Sequence, residues 1–130
     1  MIYKKLNIAI IGLGNIGSYL YKYLKTNKEI LSKKNNCVPN ITFVSAKNRS
    51  KKRNIKINKK NWLKNYLDAT KSKNVDIIIE LIGGAEGAAK KLVFNALKNK
   101  KHVVTANKAL IAKYGDQLSK IAEKNNVNLE

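Results

Sequence analysis

Apolar positions along this chain change their period from one segment to the next. Leu6 to Ile11 is a nearly continuous apolar run, which predicts a buried strand. Ile16, Leu20, Tyr23, Leu24 and Leu31 then recur at helical spacing, which predicts one helix with those residues on its buried face and Tyr19 and Tyr21 as flanking aromatics. That helix is expected to end before the polar loop Lys33-Lys34-Asn35-Asn36, and Pro39 blocks its continuation. Ile41 to Ala46, β-branched and aromatic, reads as the second strand. Lys47 to Lys60 is a polar, basic connection with only Ile55 and Ile57 apolar, and Trp62, Leu63, Tyr66 and Leu67 suggest a short helix with Trp62 as a packing anchor.

Val75 to Leu81 is the third strand, its branched run suited to burial on both faces, and Gly83-Gly84 ends it. Ala88 to Leu97 predicts a helix with Ala89, Leu92, Val93, Ala96 and Leu97 inward. His102 to Thr105 is a fourth strand. Leu110 to Lys124 is largely helical with an interruption or restart near Gly115, and Val127 to Glu130 begins a fifth strand. Strand and helix alternate throughout, so the fold class is α/β: a Rossmann-type doubly wound parallel sheet, with residues 1–130 forming a single nucleotide-binding domain.

The first strand runs into Gly12, Gly14 and Gly17, a G-x-G-x-x-G placed between strand and helix. Gly12 allows the tight turn, Gly14 lets a pyrophosphate approach the backbone, and Gly17 lets the helix pack close to the sheet. The free N–H groups and positive dipole end of the helix then hold the phosphate charge. With parallel-type strands downstream, dinucleotide binding is favoured over a chance glycine turn.

Charge changes this picture little. The net charge is +19, carried by 25 lysines and two arginines against eight acids. Lys, Asn and Ile are all abundant, which points to a compositional bias spread over the surface, and no aromatics interleave with a basic stripe as base stacking would need. Nucleic acid is therefore not expected as a partner. No apolar run approaches the length of a membrane span, and the start MIYKKLNIAI reads as a strand rather than a leader. Cys37 is the lone cysteine, which fits a cytoplasmic setting and a plain thiol near a strand start. No cysteine–histidine cluster suggests a metal.

Ligands in such sheets bind at the carboxyl ends of the strands. An NAD site usually has Asp or Glu after the second strand, yet no carboxylate occurs between Glu29 and Asp68, and Lys47, Arg49, Lys51, Lys52 and Arg53 follow instead. A 2′-phosphate would find charge-assisted donors there, so NADP(H) is expected in preference to NAD(H), which stays possible. Lys108, after Thr105-Ala106-Asn107, could exchange a proton with a substrate hydroxyl or be one more solvated lysine. Asn107 could bond the nicotinamide amide or cap a helix. Glu80 could be functional or a strand-end partner for a lysine, and His102 is most simply a strand-start residue.

IGLGNIG (Ile11–Gly17), VDIIIELIGG (Val75–Gly84) and above all KHVVTANKALIAKYGDQL (Lys101–Leu118) resemble the nucleotide-binding half of homoserine dehydrogenase. That family interconverts L-homoserine and L-aspartate 4-semialdehyde with NAD(P), on the route to threonine, methionine and isoleucine. The resemblance implies that Lys108 matches the family's catalytic-site lysine. It sets Thr105, Ala106 and Asn107 beside the nicotinamide, Gly12, Gly14, Asn15, Ile16 and Gly17 at the pyrophosphate, and Ile82 and Gly83 along the cofactor groove. Lys47 falls where many members carry an arginine near the adenosine ribose, and Arg49 follows it. Family members continue into a further domain that supplies most of the substrate pocket and the homodimer contacts. The expectation is therefore that this chain binds the cofactor with little or no turnover alone. Competing readings are another dehydrogenase of the same fold, such as an aspartate dehydrogenase, and a stand-alone nucleotide-binding module.

Overall fold

Alternate residues of the first strand feed two separate cores. Ile8 and Ile10 face one side of the sheet, Ala9 and Ile11 the other, and all four are buried. The computed structural model describes residues 2–130. Its elements are β1 (Lys4–Ile11), α1 (Asn15–Thr26), α2 (Lys28–Asn35), β2 (Cys37–Ser45), β3 (Ile77–Glu80), α3 (Ala88–Lys98), β4 (His102–Thr105) and α4 (Lys108–Lys124). The strands form one sheet in the order β2-β1-β3-β4, every pair parallel. This is the α/β, Rossmann-like arrangement that the alternation of periods predicts.

One core joins Ala9, Ile11, Ile78 and Val103 to α3 and α4 through Leu92, Val93, Leu97, Leu110 and Leu118. The inward residues expected on α3 are all fully buried. Each fully buried Leu, Ile or Val contributes about 1.5–3 kcal/mol relative to exposure. The other core joins Ile8, Ile10 and Val44 to Leu13 and Tyr21, with Leu20, Leu24 and Trp62 packed against it.

Several boundaries differ from the sequence expectation. The single helix after the glycine turn is two, broken at Asn27, which ends α1 and starts α2; its N–H and Nδ2 both donate to Tyr23 O, at 2.9 and 3.0 Å. The segment Lys33–Asn35 is helical, and α2 stops instead at Asn36, in the left-handed region (φ +55°). The buried face of α1 is also rotated by about one position. Gly17 and Tyr21 are buried, whereas Ile16 is 65% exposed and Tyr23 is exposed. Gly17 sets the line of contact, and residues one helical turn further on follow it inward. Tyr21 is thus a core residue whose hydroxyl donates to Lys56 O (3.1 Å).

β2 begins at Cys37 and runs through Pro39, which is tolerated because β2 is the outer strand of the sheet and its first half pairs with β1. β3 is shorter than expected, although the Asp76 N–H donates to Asn7 O and the Leu81 N–H to Ile11 O, both at 2.8 Å, extending the ladder. The short helix expected around Trp62 is replaced by 3-10 turns at Lys59–Asn61 and Tyr66–Thr70, with Trp62 extended and bridged to Val44. α4 is continuous through Gly115. Residues 127–130 run beside β4: the Val103 N–H donates to Asn128 O and the Glu130 N–H to Val103 O, both at 3.0 Å. Among the described residues no helix is long and apolar enough to cross a membrane.

Candidate dinucleotide site

The strand order reverses between β1 and β3, so the crevice lies at their carboxyl ends, where Gly12 and Leu81 sit side by side. Gly12 has φ +109°, and a Cβ on it would lie 2.6 Å from Leu81 O; its N–H donates to Ser45 O (2.9 Å). A Cβ on Gly17 would lie 2.0 Å from Gly12 O. The chain's own packing therefore demands both glycines. Gly14 is different. Its φ of −76° is open to any residue, and a Cβ there would meet nothing within 4 Å.

Gly14 precedes the first residue of α1, and no side chain caps that helix end. The first turn holds no acid. Asn15 and Ile16 are exposed beside it. An open approach, an uncapped helix N-terminus and a positive dipole end fit a phosphate group. A groove of about 310 Å³ runs from this turn to the basic loop, between Gly14, Asn15, Ser18, Lys22, Lys51 and Asn54. A larger open hollow of about 570 Å³ lies at the other end of the sheet, near Tyr3, Lys25, Glu29 and Val38, remote from the turn.

After β2 the chain enters the basic loop. Lys47, Arg49, Lys51 and Lys52 are exposed, with the Arg49 guanidinium 5.1 Å from the centre of the Trp62 ring. Arg53 is not among the free donors that the sequence suggested. Its Nε donates to Leu13 O (2.9 Å), its Nη2 to Asn48 O (2.8 Å), and its Nη1 to Lys51 O (3.1 Å) and Arg49 O (3.3 Å). It braces the basic loop against the glycine turn. Sequence reasoning missed this role. The available signal was the use of arginine, whose planar fork can reach several carbonyls at once, in a chain with two arginines against 25 lysines.

The β3–β4 side is built from side-chain oxygens. Glu80, fully buried, accepts at Oε2 from the N–H groups of Ile82 (2.7 Å) and Gly83 (3.0 Å), and at Oε1 from the Thr105 hydroxyl. Thr105 Oγ1 accepts from the Asn107 N–H (3.0 Å). Asn107 caps α4 by accepting at Oδ1 from the Leu110 N–H (3.0 Å), and its Nδ2 donates to Gly84 O (2.6 Å). Asn107 thus fills the capping role considered for it. Among the described residues Glu80 has no lysine partner of the kind considered for it; its partners are two amides and a hydroxyl. Ala106 and Lys108 are exposed, Lys108 as the first residue of α4. Among the described residues it forms no ion pair. His102 opens β4, its Nδ1 accepting from the Asn128 N–H (3.0 Å).

The loop after β3 is held at its far end too. Glu86 accepts from the Tyr114 hydroxyl and pairs with Lys113 (2.7 Å) and Lys90 (3.4 Å). The Lys113 hydrogen bond, then that of Tyr114, hold the Glu86 carboxyl down at about 2, while Lys90 (chiefly through Tyr114) and Lys113 (chiefly through Glu86) are raised above the usual lysine value.

The sequence-predicted residues thus fall into two groups at the carboxyl ends of the strands: Gly12 to Gly17 with Lys47 and Arg49 after β1 and β2, and Ile82, Gly83, Thr105, Ala106, Asn107 and Lys108 at the ends of β3 and β4. A family model described as "Homoserine dehydrogenase, NAD binding domain" matches residues 12–130. The chain belongs to the homoserine dehydrogenase family. Its match is to the family's NAD-binding domain. It is 36% identical to the homoserine dehydrogenase of Bacillus subtilis (strain 168) over 97% of this chain and 29% of that protein. It is also 36% identical to that of Neisseria gonorrhoeae, over 95% of this chain and 28% of the relative. The crystal structure of S. aureus homoserine dehydrogenase at pH 6.0 superposes with a TM-score of 0.89 at 36% identity, covering 99% of this chain and 32% of that one. The chain spans under a third of the length of the curated relatives it matches.

Proposed function

We propose that this member of the homoserine dehydrogenase family binds NADP(H) in preference to NAD(H) and contributes the cofactor half of a site for L-homoserine and L-aspartate 4-semialdehyde. The observation that carries this reading is Gly14: alone among the three motif glycines it is not required by the chain's packing, and it opens onto an uncapped helix end. Backbone amides at Gly14, Asn15 and Ile16 would hold the pyrophosphate, with Gly12 and Gly17 shaping the turn. Lys47 and Arg49, exposed and free of acidic neighbours in sequence, would hold the adenosine 2′-phosphate. Ile82, Gly83, Thr105, Ala106 and Asn107 would line the nicotinamide end.

The cofactor, when bound, supplies the hydride acceptor or donor. The chain's own part in the reaction is to orient it and, at Lys108 Nζ, to take or give the proton of the substrate hydroxyl. The amino-acid substrate would be held largely by groups outside these 130 residues, and the homodimer contacts of the family are expected there as well. The segment by itself is therefore expected to bind cofactor with little turnover, since hydride transfer needs the substrate fixed against the ring. The reaction's place is the cytoplasmic route to threonine, methionine and isoleucine.

Fluorescence titration with NADPH and NADH tests the reading. NADPH is expected to bind more tightly, and replacing both Lys47 and Arg49 by Ala is expected to cost NADPH about tenfold while leaving NADH nearly unchanged. Tighter NADH binding by the unaltered chain would overturn the NADP(H) preference, and binding of neither would overturn the dinucleotide site.

A further inference from the structure

Glu80 is the last residue of β3, fully buried at the end of a branched aliphatic run. The chain carries 25 lysines, yet among the described residues this acid pairs with none of them; its donors are the amides of Ile82 and Gly83 and the hydroxyl of Thr105. Burying a carboxylate is costly unless donors surround it. An aliphatic side chain of similar size would fill the same space without that cost. What the carboxylate adds is a fixed relation between two loops.

The Ile82–Gly84 loop contains two consecutive glycines at positive φ, +88° and +83°, a conformation with little intrinsic rigidity. Glu80 Oε2 fixes the start of that loop. Its Oε1 fixes Thr105, whose oxygen accepts from the Asn107 N–H. Asn107 closes the circuit by donating to Gly84 O and capping the first turn of α4, where Lys108 begins the helix. Ile82, Gly83, Thr105 and Asn107 are thus each one or two hydrogen bonds from one carboxylate.

We propose that Glu80 is the positioning residue of the nicotinamide end: it locks the β3 and β4 exits into one geometry and, through Thr105 and Asn107, sets the helix turn that presents Lys108. This deepens the cofactor reading above and rests on it. Glu80 reaches the ligand only through the groups it holds, so its effect should fall on the nicotinamide end and spare the adenosine end.

The test is calorimetric titration of the 130-residue chain with NADPH and with 2′-phospho-ADP-ribose, which lacks the nicotinamide. Glu80→Leu is expected to weaken NADPH by about tenfold or more while 2′-phospho-ADP-ribose stays within about threefold. Glu80→Gln can still accept from both amides and turn its NH₂ toward Thr105 Oγ1, so it is expected to recover NADPH affinity to within about threefold of the unaltered chain. Thr105→Val, which removes the hydroxyl that joins Glu80 to Asn107 and leaves the two amide bonds of Glu80 in place, is expected to give a smaller loss confined to NADPH, and it decides the matter by the same comparison if Glu80→Leu does not fold. The positioning role is overturned by unchanged NADPH binding in Glu80→Leu or, where that variant does not fold, in Thr105→Val. It is equally overturned by equal losses for both ligands, or by a Gln variant as weak as the Leu one. An unaltered chain that binds neither ligand overturns the cofactor reading itself.

Discussion

The two sides of the crevice are made in opposite ways. On the β1–β2 side the geometry comes from missing atoms: Gly12 and Gly17 bring backbone against backbone at distances where a methyl group has no room. Arg53, the side chain that braces the basic loop against that turn, acts on carbonyl oxygens. On the β3–β4 side the geometry comes from added atoms, the oxygens of Glu80, Thr105 and Asn107, which gather amides from two loops and a helix start. Close packing tolerates no enlargement, whereas a polar circuit tolerates an isostere but not the loss of an acceptor. The two sides should therefore fail differently.

The largest effect is expected at Gly17. Gly17→Ala puts a Cβ 2.0 Å from Gly12 O, and backbone must move to admit it. Urea denaturation should show a loss of about 3 kcal/mol or more, or no folded protein at all. Gly14→Ala in the same motif should cost less than about 1 kcal/mol and yet impair cofactor binding. Equal stability losses at the two positions would erase the distinction drawn here. Next comes Arg53→Ala, which strips the brace from Leu13 O and should cost about 1–2 kcal/mol. Arg53→Lys should restore little of it, because an ammonium cannot span carbonyls of Leu13, Asn48 and Lys51 as the fork does. Full recovery by lysine would make the brace a simple matter of charge.

The smallest effect is a pH dependence on the β3–β4 side. Glu86 falls from 4.5 to about 2 on folding, so its contribution is complete above 4.5 and fades as pH drops toward 2. Lys90 and Lys113 are raised, so their share is present below 10.5 and is lost as pH climbs through their higher folded values. The side chains are largely solvated, which keeps the effect modest. The gap in urea midpoint between the unaltered chain and Glu86→Gln should narrow steadily below pH 4.5. A gap that stays constant down to pH 2.5 would remove the ion cluster from the account of this loop.

These contrasts also explain what could be read from the sequence. The glycine turn was legible because its three glycines lie within six residues, and the strands because each is a short run of branched side chains. The helix after the turn departs from its periodicity in its break and in its buried face. Its break depends on Asn27 bonding back to Tyr23 O, and its buried face depends on where Gly17 touches Gly12, neither of which periodicity reveals. Arg53 and Glu80 were visible as residue types but not as roles, since the partners that tie them across the fold, Leu13 and Thr105, lie 40 and 25 positions away in sequence. Both nevertheless stood out chemically: an arginine among lysines, and an acid at the end of an aliphatic strand.

Pro39 has a consequence for the molecule in a crowded solution. β2 is the outer strand, and an unguarded outer strand in a chain so rich in isoleucine invites neighbouring copies to add on. Half of that rim is already covered, by Asn61 Nδ2 donating to Thr42 O and the Leu63 N–H donating to Val44 O. Pro39 brings no N–H to the other half, and a net charge of +19 keeps copies apart. Resistance to self-association is thus written into the margin of the sheet, well away from the crevice where the ligand would sit.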